Sequence, residues 1–146
     1  MANARVTLNT ISIVVSDMAA TLAFYRRLGV DIPEDSVWLT NGVGHHVTVK
    51  LANDFNLDFD SEAMTKGYDP AWKPGIGANA VIFHVSTREE IDNLYDEMTS
   101  AGYTGHLAPF DAFWGARYAV IDDPDGNHVG IMSPMDEKYG SAPPQL

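Results

Sequence analysis

The chain has 146 residues, nine Lys and Arg against twenty Asp and Glu, and a formal net charge of −11. At 45% apolar it is globular in composition and long enough to bury a core, and it lacks the basic footprint that nucleic-acid binding needs. It has no cysteine, which excludes disulfides and thiolate metal sites. No apolar run nears the ~20 residues of a bilayer span and MANARVTLNT lacks a signal peptide's layout, so a cytoplasmic location off the membrane is expected.

Residues 6–16 alternate as a strand, with Ile11, Ile13 and Val15 on one face. Ser16 or Asp17 caps a predicted helix over 18–28, in which Met18, Leu22, Tyr25 and Leu28 form an apolar stripe and Gly29 marks the stop. Residues 37–40 and 45–51 read as strands around the turn-rich Asn41-Gly42-Val43-Gly44. Residues 55–60 alternate strictly, Phe55, Leu57 and Phe59 against Asn56, Asp58 and Asp60, which completes a βαβββ unit. The bridge that follows is rich in proline and glycine; its Tyr68 and Trp72 either close over a pocket or hold the loop on the core.

A second unit begins with a strand over 80–86 and the capping-box pattern Thr87-Arg88-Glu89-Glu90. Its helix buries Ile91, Leu94, Tyr95 and Met98 and stops at Gly102. A short strand near 107–110 leads into WGARYAVIDDPDGNHVGIMSP, where Asp123-Pro124-Asp125-Gly126 turns the chain between strands 116–122 and 128–133. The two units repeat in register: Val15 and Val85, and Tyr25 and Tyr95, each stand 70 residues apart. One domain over 1–146 is expected, with modules at 5–62 and 79–134, a bridge at 63–78, and a tail at 135–146 that is loose or folded along a partner subunit.

A strand-Asp-helix opening with FYRRLG, a repeated strand-helix, and the closing WGARY…DPDGN hairpin resemble the glyoxalase/bleomycin-resistance/extradiol-dioxygenase family, the vicinal oxygen chelate proteins, over residues 6–134. The resemblance implies an α+β fold of two βαβββ modules, each curling its sheet into a half-barrel, the pair forming a cup. It also implies a small-molecule ligand and a homodimer. Metal-using members carry one ligand on the first and one on the fourth strand of each module. Carried onto this chain, those positions are Thr10, Asp58, Ala80 and Gly130. Two of the four offer no donor atom and a threonine hydroxyl is a poor one, while divalent metals want three or more imidazole or carboxylate ligands. The expectation is therefore no metal and no cofactor.

The other histidines do not replace the lost ligands in this reading. His45 and His46 are strand neighbours and point to opposite faces. The family's parallel pairing sets Ala80 against Gly130, which leaves His84 and His128 roughly 20 Å apart along the sheet. His106 falls in a loop, solvated.

The candidate ligand-binding residues are Thr10, Asp58, Trp72, His84, Trp114 and Arg117. Asp58 is either a base or cation anchor in the cup, or a semi-exposed acid bonded to Thr10; His84 is either an acid/base or a strand histidine bonded to backbone. Trp114 and Tyr118 share one parity and Arg117 the other. Either Trp114 stacks on a flat ligand while Arg117 pairs with a carboxylate, or Arg117 anchors an anion. Three functions are weighed: a metal-free binder of a flat drug-like or metabolite ligand, a metal-independent isomerase or lyase using Asp58 or His84, and a metal-dependent glyoxalase or dioxygenase.

Overall fold

The computed structural model describes residues 10–68, 73–75 and 81–142, which divide into two compact units, 1–74 and 75–146. Each is an α+β module with the order strand, helix, three strands. In unit 1 these are β1 (Thr10–Val15), α1 (Met18–Leu28), β2 (Trp38–Thr40), β3 (Val43–Lys50) and β4 (Asn56–Ser61), followed by a short helix, α2 (Glu62–Tyr68). Unit 2 has β5 (Val81–His84), α3 (Arg88–Ser100), β6 (Gly105–Asp111), β7 (Arg117–Asp122) and β8 (His128–Met132). The sheets are open and four-stranded, ordered β1-β4-β3-β2 and β5-β8-β7-β6, with the first pair of each parallel and the rest antiparallel.

The helices start and stop where the sequence signals do. Asp17 accepts the Ala20 amide at 3.0 Å and Thr87 the Glu90 amide at 3.3 Å, so each cap satisfies an otherwise orphaned donor. Gly29 closes α1 in the left-handed region at φ 113°, where only glycine is unstrained. Asn41 and Gly42, both with positive φ, form the two-residue turn that joins β2 to β3.

One face of each sheet is covered by its helix, and the core lies there. In unit 1, Phe24 and Tyr25 of α1 are fully buried, and Tyr25 packs on Phe59 of β4 with ring centroids 4.7 Å apart, beside Val47, Val49 and Leu57. In unit 2, Ile91 and Met98 are buried, as are Ala119, Ile121, Val129 and Ile131 on the sheet. Strand alternation then puts the intervening residues on the opposite face of each sheet.

Two expectations change here. The bridge contains the helix α2, which its proline and glycine content hid. The tail folds back on its own unit as far as it is described: Asp136 donates its amide to the Gly115 carbonyl at 3.0 Å, Ser141 to Phe113 at 3.0 Å, and Tyr139 lies under the Arg88 guanidinium at 3.7 Å. A Cβ at Gly115 would meet the Asp136 carbonyl at 2.7 Å, so glycine is required at that crossing. Among the described residues no helix is long and apolar enough to cross a membrane.

Candidate functional site

The helix-free face of unit 1 is polar. Cross-strand pairing sets Ser12, Asp58 and Thr48 in one row and Val14, Asp60 and His46 in the next. Asp60, only 7% exposed, accepts from His46 Nδ1 at 2.5 Å and from the Ser12 hydroxyl at 3.3 Å, and His46 Nε2 lies 3.2 Å from the Thr48 hydroxyl. Asp58 is the exception to this satisfaction: its Oδ1 is buried and has no hydrogen-bond partner among the described residues. A buried carboxylate oxygen left unpaired is costly, so it calls for a partner such as a water, an ion or a ligand.

The corresponding face of unit 2 is apolar and aromatic. One row runs across all four strands as His84, Met132, Tyr118 and Phe110, and the next as Ile82, Gly130, Val120 and Leu107. Trp114, in the turn before β7, sits edge-on to Tyr118 with centroids 5.7 Å apart and donates its indole N–H to the Met132 sulfur at 3.4 Å. Tyr118 leans over Gly130, where a Cβ would come within 2.6 Å of the phenol oxygen. Burial raises the Tyr118 pKa, so the phenol is a neutral donor at physiological pH.

The candidate residues fall as follows. Asp58 lies on the polar face of unit 1. Thr10 pairs with Asn56, and Ser12 stands beside Asp58 instead. His84 and Trp114 share the aromatic face of unit 2. His84 is exposed, and its side chain makes no hydrogen bond among the described residues. Arg117 points the other way, onto α3, where its guanidinium grips Asp92 at 2.8 and 3.0 Å and reaches Asp111 at 3.3 Å. That settles the parity in favour of Trp114 on the helix-free face, with Arg117 held by carboxylates. Trp72 and Ala80 lie outside the described residues.

The register also corrects an expectation: Ile82, and not Ala80, pairs with Gly130, so His84 stands opposite Met132 and only four residues from His128, about 13 Å along the sheet. His106 belongs to β6 and stacks on His128 at 4.0 Å, a contact the sequence reading missed because this strand does not alternate.

A divalent ion of the kind carried by metal-using relatives does not fit the fourth-strand position of unit 2. Gly130 has no donor, and the space a longer side chain would need is taken by the Tyr118 phenol.

The model of the Glyoxalase/Bleomycin resistance protein/Dioxygenase superfamily matches residues 7–131. An uncharacterised protein of Mycobacterium bovis is 26% identical over 126 residues, covering 86% of this chain and 82% of its own length. Among solved structures, a glyoxalase/bleomycin resistance protein/dioxygenase family enzyme from Burkholderia phytofirmans superposes with a TM-score of 0.71 at 21% identity, covering 88% of this chain and 98% of the other. A glyoxalase-related enzyme from Fulvimarina pelagi gives 0.72 at 19% identity, covering 88% of each. At such identities the two structures speak for the fold alone.

Proposed function

This chain belongs to the glyoxalase/bleomycin resistance protein/dioxygenase superfamily, and from that premise we propose that it is a small-molecule-binding protein that holds no metal at the superfamily's ligand positions. The reading rests on Tyr118. Where a relative's metal ligand would stand, this chain has Gly130, and the phenol roofs it. The exchange trades a charged metal position for an aromatic floor with a single polar handle. Ligand pockets are built in that way, from mostly apolar walls and a few placed hydrogen-bonding groups. The ligand is flat and partly apolar; it stacks beside Trp114 and accepts a hydrogen bond from the Tyr118 hydroxyl.

The test is a tryptophan-fluorescence screen of aromatic compounds, followed by recovery of the bound compound. Trp114→Ala and Tyr118→Phe are expected to weaken binding at least tenfold, with the compound recovered unchanged. Binding indifferent to both variants would overturn the proposal.

A second reading is favoured by Asp58, whose buried oxygen lacks a partner among the described residues and lies on the same face as the His46–Asp60 pair. A metal-independent isomerase or lyase would use Asp58 for proton transfer. Conversion of a bound compound, abolished in Asp58→Asn, would select it.

A further inference from the structure

The helix-free face of unit 2 has a third row, beyond those of Tyr118 and Gly130, and its chemistry is different. Asp122 of β7 and His128 of β8 are directly paired, and His106 of β6 lies over them. His128 Nδ1 is 2.8 Å from Asp122 Oδ1, the two imidazoles stack at 4.0 Å with 28° between planes, and one donor atom of each of the three residues lies within 4.8 Å of the others. We propose that His106, Asp122 and His128 form a binding site for a divalent transition ion of the zinc or nickel class.

Two of the three ligands are held by the most tightly bonded turn described in the chain. Asp123, 4% exposed, accepts the amides of Asp125 and Asn127 at 2.9 Å and the Asn127 side chain at 3.0 Å, while its own amide bonds the Asn127 carbonyl at 2.9 Å. That clasp fixes the strand ends carrying Asp122 and His128. The Asp122 amide bonds the Thr104 carbonyl at 2.9 Å, which brings the start of β6 alongside. The strand is irregular between Gly105 and Leu107, and this break sends the His106 ring over His128.

The donor set selects the ion. Two imidazole nitrogens and one carboxylate oxygen suit zinc and its late first-row neighbours, whereas magnesium and calcium want oxygen alone. Nδ1 and Oδ1 already stand at a separation that two bonds of about 2.1 Å to one ion permit. The ion takes the place of the proton on Nδ1, which passes to Nε2 by way of solvent. His106 is exposed, so its ring is free to swing inward, and a water completes the coordination. These residues are not the superfamily's ligand positions, and the site does not depend on the ligand reading above.

The experiment is isothermal titration of the full chain with zinc chloride in a non-chelating buffer, with thermal melts run beside it. Expected are one zinc ion per chain at micromolar affinity, a higher melting midpoint with zinc, and no effect of magnesium. His106→Ala should weaken zinc at least tenfold and abolish the zinc-dependent rise in its own melting midpoint, while His84→Ala and Tyr118→Phe leave zinc binding intact. No zinc binding by the wild-type chain, or equal binding by His106→Ala, would overturn the site.

Discussion

Gly130 is the residue beside which the proposed ligand site is built, and its neighbourhood can be tested without any ligand. A methyl group there would lie 2.6 Å from the Tyr118 oxygen and 3.1 Å from both its Cε1 and the Ile82 side chain. Gly130→Ala should therefore cost about 1–3 kcal/mol through overpacking. In a Tyr118→Phe background the nearest obstacle is gone and part of that cost should return. Urea midpoints across the double-mutant cycle measure this, and equal costs in both backgrounds would mean that the phenol does not rest on Gly130. Asp58 is the counterpart in unit 1, occupying on β4 the place Gly130 has on β8. With one buried oxygen unpartnered among the described residues, it suits a cationic group. Where an aromatic cation binds on that face, Asp58→Asn should weaken it by about 1.5–3 kcal/mol, the range for a charge-assisted bond, as read by titration. Unchanged affinity would remove Asp58 from the ligand.

At the scale of elements, the bond between α3 and β7 is the clearest electrostatic one. Arg117 donates to both oxygens of Asp92, and that hydrogen bonding lowers the Asp92 pKa against the smaller opposing effect of burial. A carboxyl with a depressed pKa in the fold contributes stability above its ordinary value near 3.8 and loses it as pH falls through the lower folded value. The side chains are 25% and 45% exposed, so solvent screening keeps the contribution to about 1 kcal/mol. Asp92→Asn should lower the melting midpoint at pH 7, and the gap to wild type should close as pH falls below the ordinary carboxylate value and through the lower folded one. A gap that persists in strong acid would assign the effect to packing. The helices α1 and α3 were legible in the sequence, because Asp17, Thr87 and Gly29 are local signals with local causes. So was the alternation of the regular strands, since a period of two puts neighbours on opposite sides, although it left open which side of β7 faces the helix. What the pattern could not carry was which same-face residues meet. A slip of one residue turns a strand inside out, whereas a slip of two leaves every face unchanged. For that reason Thr10 and Ala80 were expected where Ser12 and Ile82 stand. His106 escaped for a related reason: the irregular β6 has no alternation to read, and its partner lies on a strand two places away in the sheet.

For the whole molecule, the duplication was visible as the 70-residue offset, and it explains how one fold carries two differently furnished faces. Equivalent rows hold Ser12, Asp58 and Thr48 in one unit but Ile82, Gly130 and Val120 in the other. The turn end of the β2–β3 hairpin leaves Trp38, Leu39 and Val43 each more than half exposed on the edge strand of its sheet and the start of β3. An apolar edge strand open to water is a surface natural proteins cover or blunt. The homodimer expected from the family resemblance is thus best placed on this hairpin. An apolar contact between two chains of charge −11 is opposed by their mutual repulsion, which salt screens. Light scattering should therefore give about twice the 16.0 kDa chain mass, with dissociation on dilution suppressed, and not promoted, by raising salt. Leu39→Lys, exposed and outside the core, should shift the population to monomer without lowering the thermal midpoint of the separated chain. A wild-type protein that stays monomeric at micromolar concentration, or a dimer indifferent to Leu39→Lys, would move the interface elsewhere or remove it.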